Sequence, residues 1–215
     1  MNDPTGAVAP PGTRTLQSRS RRLAASVLDA IIRMSSTRAN YWGEVLVTIA
    51  VSTSLLATGV REHQGSWAAS FFTVLAGLIL FSLIEYIFHR WIFHGPESMY
   101  TRGHDAHHRD PRGFDALPFF LPSAILLGLT LVFALVVAVD HACLLGGAIG
   151  FGYVAYGLSH FAIHATRFRQ PWLRHWAARH HIHHHHPGSN FGVTTSLWDH
   201  VLGSRFQRRS ARRPD

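Results

Sequence analysis

The sequence predicts an all-α integral membrane protein with four transmembrane helices and a cytosolic, histidine-rich helical cap. Three observations carry this prediction. The apolar residues of the 215-residue chain are concentrated in long runs with almost no charge, a pattern that is not expected of a protein with a single water-soluble core. The basic residues lie almost entirely on one side of these runs, and histidines cluster at their flanks.

Four apolar runs are each about as long as the ~20 residues that cross the hydrocarbon core of a bilayer. Within them only Glu44 and Glu85 are charged, and both lie near an end. Arg61 to Trp67 and Asp140-His141 are predicted to be short external turns, so that the runs form two hairpins. The predicted spans are residues 43–60, 68–88, 117–139 and 142–163.

The arginines orient these spans, since every basic residue of the chain is an arginine and only Arg61 lies on the external side. The positive-inside rule therefore places both termini, the central loop and all histidine groups in the cytoplasm. We expect a bacterial inner membrane. The net charge of +8 suits anionic lipid headgroups. No nucleic-acid partner is expected, because the sequence lacks basic motifs interleaved with aromatic residues.

The chain divides into a tail, a membrane domain and a second tail. Residues 1–40 are predicted to hold a disordered tail and a basic amphipathic helix. The apolar face of this helix either lies on the membrane surface or docks on the protein itself; it comprises Leu23, Val27, Ile31 and Met34. Residues 41–204 form the membrane domain, with metal-binding segments at 89–116 and 160–199, and residues 205–215 form a basic tail.

Cys143 is the only cysteine, so the sequence excludes an intrachain disulfide and any cysteine-based zinc or iron–sulfur site. We interpret it as a small apolar residue of the fourth span. Five glycines in the same span permit close contact between helices.

Ten histidines form four compact groups next to the spans, in spacings that suit helical metal ligands. Neutral imidazole suits zinc, copper, iron and nickel, and one helical turn brings positions i, i+3 and i+4 to one side. Isolated histidines such as His63, His141 and His200 are more often surface or hydrogen-bonded groups, so we exclude them. The candidate metal ligands are His89, His94, His104, His107, His108, His160, His164, His180, His183 and His184.

Two of these groups leave alternatives open. His89 and His94 would diverge by ~140° on a regular helix, so either they serve different metals or the helix ends between them. The last triplet has two frames, which are His180/His183/His184 and His181/His184/His185. The His104 triplet can straddle two metals, because its adjacent pair diverges by ~100°.

The few glutamates exclude a carboxylate-bridged di-iron bundle. Such bundles use Glu-x-x-His pairs, whereas none of the four glutamates stands three residues before a histidine. The coordination sphere must then be almost entirely nitrogen. Ten imidazoles are too many for one metal, and two metals with about five ligands each would use them all.

Three stretches of this sequence resemble the fatty acid hydroxylase superfamily, and the fatty acid 2-hydroxylases in particular. They are Leu83 to His94, the His104 triplet with Phe114 and Pro118, and the His180 region that runs into Phe191-Gly192-Val193-Thr194-Thr195 and Leu197-Trp198-Asp199. The resemblance spans roughly residues 81–204. Counting back without gaps from Asn190-Phe191-Gly192 favours the frame that begins at His180.

The resemblance implies a membrane oxygenase that hydroxylates a lipid acyl chain, with the ten histidines holding two iron ions. Zinc could replace iron in the isolated protein. No cytochrome b5-like domain precedes the membrane region, so we expect a separate electron-transfer protein as the external electron donor. The segment before Phe191 is shorter than in those enzymes, so the resemblance does not define the lipid.

We expect four further residues to act near the metals. Glu85 lies one turn before His89, and either orients a ligand imidazole or is an ordinary interfacial carboxylate. Asp199 has the same two interpretations. Trp91 and Trp198 are expected to anchor at the headgroup level. An apolar substrate would enter from the lipid, between the spans and the cap.

Two other functions fit parts of the pattern. A lipid desaturase or a carotenoid or sterol hydroxylase could use the same metal core. A non-enzymatic metal transporter or store is a more distant alternative, because transport needs polar or ionisable residues in the middle of the spans, where this sequence has no charged residue.

Overall fold

The described residues form helices joined by turns, with no strand among them, which confirms the predicted all-α class. The computed structural model describes residues 22–23, 26–27, 29–31, 33–114 and 116–207. The predicted disordered tail and most of the basic C-terminal tail therefore lie outside the described residues.

Seven α-helices and one π-helical segment are defined between residues 38 and 201. They are α1 (Arg38–Arg61), α2 (Trp67–Ile87), the π-segment (Phe88–Phe93), α3 (Met99–Arg109), α4 (Leu121–Phe133), α5 (Val139–Ala165), α6 (Pro171–His185) and α7 (Leu197–Val201).

Three helices are long and apolar enough to cross a membrane. They are α1, α2 with its π-segment, and α5, with mean hydropathies of 1.6, 2.2 and 1.4 over their most apolar windows. These helices agree with the predicted spans 43–60, 68–88 and 142–163. Long helices of this composition support an integral membrane protein.

The predicted span 117–139 is not confirmed, because its helix α4 has only 13 residues. At 1.5 Å per residue α4 is about 20 Å long, whereas the hydrocarbon core is about 30 Å thick. Proline explains the late start, since Pro118 lies before the helix and Pro122 occupies its first turn, where a missing N–H is tolerated. The helix then ends at Phe133 in a series of turns.

The predicted external turn at Asp140-His141 is wrong, because both residues lie in the first turn of α5. The chain reverses earlier, over residues 134–138. A carboxylate at this position interacts favourably with the helix dipole. The Asp140 carboxylate accepts hydrogen bonds from the backbone N–H of His141 (2.9 Å) and of Gln64 (3.4 Å), and so holds the α1–α2 turn against α5.

Helix α5 lies at the centre of the bundle, packed against α1, α2 and α4. Its glycines allow this approach, as the sequence predicted. A Cβ atom on Gly147 would lie 2.7 Å from Leu56 of α1, and one on Gly152 would lie 2.6 Å from Phe81 of α2. Cys143 is buried in the main apolar cluster, in agreement with its predicted role.

The predicted N-terminal amphipathic helix is described only in part. The described residues between 22 and 35 are helical. Three members of its apolar face are exposed, with Leu23 at 66%, Val27 at 52% and Met34 at 68%. These side chains do not dock on the described part of the protein.

Candidate metal centre

All ten predicted histidines converge at one end of the bundle, in two groups of five. We call them the first and the second histidine group. Within each group one ligand nitrogen from every residue lies within 4.8 Å of the others. The first histidine group contains His89, His94, His104, His108 and His183, and the second contains His107, His160, His164, His180 and His184.

The π-segment brings His89 and His94 into the same group, although the sequence predicted different metals or a helix end between them. A π-helix pairs residues i and i+5, so positions five apart lie one above the other. The two imidazole rings are accordingly stacked, with centroids 5.3 Å apart. Because the helix widens into a π-helix after Ile87, the His89 and His94 rings do not diverge as they would on a regular α-helix.

Each histidine triplet is divided between the two groups. Helix α3 gives His104 and His108 to the first group and His107 to the second, as the predicted straddling requires. Helix α6 gives His183 to the first group, and His180 and His184 to the second. The frame that begins at His180 therefore supplies both groups, while His181 and His185 are exposed and belong to neither group.

The distances between imidazole nitrogens fit a metal better than a hydrogen-bond network. The Nε2 atom of His104 lies 3.2 Å from that of His89 and 3.0 Å from those of His94 and His108. One ring nitrogen carries at most one proton, so it cannot make three such hydrogen bonds. Two ligands at right angles on a metal with bonds of about 2.1 Å are about 3.0 Å apart.

The second group has the same geometry. The Nε2 atom of His180 lies 3.0 Å from the Nε2 atoms of both His164 and His184. The Nε2 atom of His160 is buried and has no hydrogen-bond partner. A buried ring nitrogen without a partner is costly unless a ligand satisfies it. The residues present therefore fit one metal ion in each group.

Burial keeps the histidines beyond the membrane-spanning segments neutral, which is the form that binds metal. Desolvation is the largest effect on the pKa of His94, His107 and His183, and neighbouring histidines lower the pKa further. The pKa of His94 falls to about 4, that of His107 to about 3 and that of His183 to about 3. At neutral pH each of these imidazoles has one ring nitrogen without a proton, so a metal ion can bind there without displacing one.

Backbone carbonyls orient two histidines of the first group. The Nδ1 atom of His89 lies 2.5 Å from the carbonyl oxygen of Phe191, and that of His183 lies 2.8 Å from the carbonyl oxygen of Ser189. A histidine that donates its Nδ1 proton to a carbonyl presents Nε2 to a metal. The segment from Ser189 to Phe191 therefore sets the tautomer and the orientation of both rings.

Asp199 and Glu85 hold the backbone from Phe191 to Thr194, and they bond to this stretch rather than to the histidines. The Asp199 carboxylate accepts hydrogen bonds from the N–H groups of Phe191 (2.8 Å) and Gly192 (2.9 Å). Glu85 accepts from the N–H groups of Val193 (2.7 Å) and Thr194 (3.0 Å). Both carboxylates are buried. Of the two, Asp199 bonds to Phe191, whose carbonyl oxygen contacts His89, while Glu85 fixes the two residues that follow Gly192.

The sequence reasoning missed this carbonyl, because any residue can supply a backbone oxygen. Asn190 gave the available signal, since asparagine adopts the left-handed conformation more readily than most residues. It has a φ of 56°. Its side chain also ties the turn to Phe206, whose N–H it accepts at 2.9 Å.

The two tryptophans differ in environment. Trp198 donates its indole N–H to Ser82 of α2 at 3.0 Å, whereas Trp91 is 49% exposed. Trp91 also lines a cavity of about 460 Å³ beside the first histidine group. The other residues around this cavity are Arg90, His94, Pro187, Gly188 and Phe191. The role of both tryptophans at the headgroup level stays a prediction.

Comparisons with known proteins agree with the resemblance read from the sequence. The family model described as fatty acid hydroxylase matches residues 74–204. The dihydroceramide fatty acyl 2-hydroxylase FAH2 of Arabidopsis thaliana is 32% identical over 144 residues, which cover 61% of this chain and 59% of that protein. The fatty acid 2-hydroxylase of Macaca fascicularis is 35% identical over 143 residues, covering 60% of this chain and 38% of the relative.

A solved structure has the same fold. It is that of full-length scs7p, in which only the hydroxylase domain is visible, and it matches with a TM-score of 0.68 at 24% identity. The match covers 79% of this chain and 68% of that chain. The chain spans only 38–59% of the length of the two curated relatives. The family match covers more than half of the chain and includes all ten histidines, and this chain belongs to the fatty acid hydroxylase family.

Proposed function

We propose that this protein is an O2-dependent di-iron membrane oxygenase that hydroxylates the acyl chain of a lipid, at the carbon next to the carboxyl group. The observation that carries the proposal is the convergence of ten imidazoles into two groups of five at the end of a bundle of apolar helices. The relatives named as fatty acid 2-hydroxylases and as a dihydroceramide fatty acyl 2-hydroxylase support the substrate class and the position.

Two bound iron ions would supply the activation of dioxygen. In the overall reaction one C–H bond of the acyl chain becomes C–OH, the second oxygen atom leaves as water, and a donor supplies two electrons while two protons are taken up. We propose a separate electron-transfer protein as this donor.

The chain's own residues hold, orient and shield the metals. The ten histidines are the proposed ligands, and none of them needs to act as an acid or a base. The carbonyl oxygens of Phe191 and Ser189 fix two of the rings. A coordination sphere of neutral imidazoles leaves the full charge of the metal pair uncompensated, which favours the binding of anionic ligands.

We propose that the site lies on the cytoplasmic side of a bacterial inner membrane. Arginine placement supports this orientation. The short helix α4 would complete four crossings with the apolar residues that flank it, although its length alone is insufficient. The exposed apolar face of Leu23, Val27 and Met34 suits the membrane surface.

The decisive experiment expresses the full chain in a host of defined lipid composition and compares intact lipids by mass spectrometry. The test variant is His107→Ala, which removes a proposed ligand of the second group. The matched control is His175→Ala, an exposed histidine of α6 outside both groups. We expect lipids that have gained one oxygen with the wild type and the control, and none with His107→Ala.

The same measurement distinguishes the alternatives. Loss of two hydrogens in place of a gained oxygen would indicate a desaturase, and an oxidised carotenoid or sterol would indicate a different substrate. Metal uptake without any oxygen-dependent change in lipids would indicate a metal-binding protein. A hydroxylated lipid that persists in His107→Ala would contradict the proposed ligand set.

A further inference from the structure

We propose that Arg90 is the substrate-binding residue of this protein: it binds the carboxyl-derived oxygen of an acyl lipid and so determines which carbon reaches the metals. The inference rests on the proposed function and specifies how that site recognises its substrate. The oxygen belongs either to the carboxylate of a free fatty acid or to the amide carbonyl of an N-acyl lipid. Both are hydrogen-bond acceptors that a guanidinium recognises.

Arg90 is held rigidly beside the first histidine group. It follows His89 directly in the π-segment, and its Nη1 atom donates to the hydroxyl of Tyr86 at 2.6 Å. Its Cζ atom lies 5.8, 5.1 and 5.6 Å from the ring centroids of Tyr86, Trp91 and Phe191. The Tyr86 hydroxyl is itself fixed by Ser204, at 2.7 Å. The guanidinium is therefore preorganised by contacts that leave its charge unneutralised.

No carboxylate pairs with Arg90 in the part of the chain that the structure describes. The ion pairs there join Arg61 to Glu62, Arg102 to Glu97, and His63 to Asp140. A guanidinium has about five N–H donors, of which the Tyr86 hydroxyl takes one. A half-buried cation among aromatic rings still needs acceptors for the others. An acyl lipid would supply such an acceptor.

The cavity of about 460 Å³ joins this guanidinium to the proposed metal site, because Arg90 and His94 both line it. The ring of Phe191 contacts both, with its centroid 5.6 Å from the Arg90 Cζ atom and 5.8 Å from that of the His94 ring. The anchor and a proposed ligand histidine therefore share one aromatic neighbour and one cavity. An oxygen bound at Arg90 would leave only carbons near the carboxyl end within reach of the metals.

The position also suits a lipid. The π-segment is the last part of the candidate span Trp67–Phe93, so Arg90 lies at the end of a membrane-crossing helix. Carboxyl and amide groups of lipids lie at this level, while their acyl chains lie in the hydrocarbon. Trp91, which is 49% exposed, is placed to cover the entering chain.

The test uses the full-length, iron-loaded protein with palmitate and with N-palmitoyl sphinganine as substrates. The variants are Arg90→Gln, which removes the charge, and Arg90→Lys, which keeps the charge but loses the planar fork of donors. Arg102→Gln is the control, since Arg102 is exposed and pairs with Glu97. The readouts are KM, kcat and the position of the hydroxyl group on the acyl chain.

We expect Arg90→Gln to raise KM at least tenfold and to spread the hydroxyl group over neighbouring carbons, while Arg102→Gln retains wild-type values. An effect of Arg90→Gln on palmitate that Arg90→Lys partly rescues would identify a carboxylate. An equal loss in both variants on N-palmitoyl sphinganine would identify an amide carbonyl. Unchanged KM and product position, or a loss of rate that follows lost metal alone, would overturn the inference.

Failure of the proposed function is distinguishable from failure of this inference. If the wild type hydroxylates neither lipid, displacement of a fluorescent fatty acid by palmitate measures binding without turnover. We then expect palmitate to displace the fluorescent fatty acid from the wild type and from Arg102→Gln at concentrations at least tenfold lower than from Arg90→Gln. Equal displacement from all three proteins would overturn the role of Arg90.

Discussion

Replacement of Asp199 by asparagine is expected to weaken the binding of one of the two proposed metal ions and to leave the binding of the other unchanged. The Asp199 carboxylate accepts three hydrogen bonds, from the N–H groups of Phe191 (2.8 Å) and Gly192 (2.9 Å) and from the hydroxyl of Ser204 (2.7 Å). Asparagine retains one oxygen and places an amide nitrogen where the other accepted a proton. At least one N–H group is then left facing a donor in a buried site.

The expected loss of stability follows from the number of hydrogen bonds that Asp199 accepts. Hydrogen bonds to charged groups contribute about 1.5–3 kcal/mol each, so loss of one with weakening of the others should cost about 2–4 kcal/mol of stability. The Phe191 carbonyl then shifts relative to His89, whose Nδ1 atom it holds. Disturbing such a partner typically costs about 10–100-fold in metal affinity. The second histidine group has no contact with this carbonyl and should keep its affinity.

The assay is a competition titration of the purified protein against a metal chelator, run with thermal unfolding in the same detergent. Asp110→Asn is the matched control, because Asp110 is exposed beyond the end of α3. We expect one metal ion to be lost at a lower chelator concentration in Asp199→Asn only. Equal weakening of both metals, or no change in either, would refute the reasoning about the Phe191 carbonyl.

Three further predictions concern packing, pH and metal. Gly147→Val should lower stability by about 1–3 kcal/mol through overpacking against α1. Gly157→Ala should not lower it, because a Cβ there meets open space and alanine suits a helix better than glycine; thermal unfolding measures both. In the metal-free protein, unfolded histidines take up protons near pH 6.5 while His107 and His183 stay neutral down to about pH 3. The free energy of unfolding should therefore fall by about 1.4 kcal/mol per pH unit for each histidine as pH decreases from 6.5, and the melting temperature should fall with it. A melting temperature that stays constant between pH 6.5 and 4.5 would contradict this. Removal of metal by a chelator at pH 7 should lower the melting temperature reversibly, since binding to the folded state alone stabilises it.

The grouping of the histidines could be predicted from the sequence, because the spacing of residues along a helix decides which side chains share a face. His160 and His164 are one turn apart, and the His104 triplet divides between two sides of α3 as its spacing requires. The family resemblance also followed from local motifs and is confirmed. The role of these histidines as ligands stays a prediction.

Features that depend on backbone geometry or on distant contacts could not be predicted in this way. No residue between Phe88 and Phe93 marks a π-helix, so the shared group of His89 and His94 was missed. Hydropathy located the apolar run 117–139, but its helix has only 13 residues, because prolines delay its start and the chain turns after Phe133. Glu85 was expected near His89 along one helix, yet its carboxylate bonds to Val193 and Thr194, more than a hundred residues away.

Iron content per chain tests the central claim most directly. The purified full-length protein is reconstituted anaerobically with ferrous iron, freed of excess metal and analysed for iron against quantified protein. Two groups of five convergent imidazoles predict two iron ions per chain in the wild type. A stoichiometry of one or none under these conditions would contradict the account.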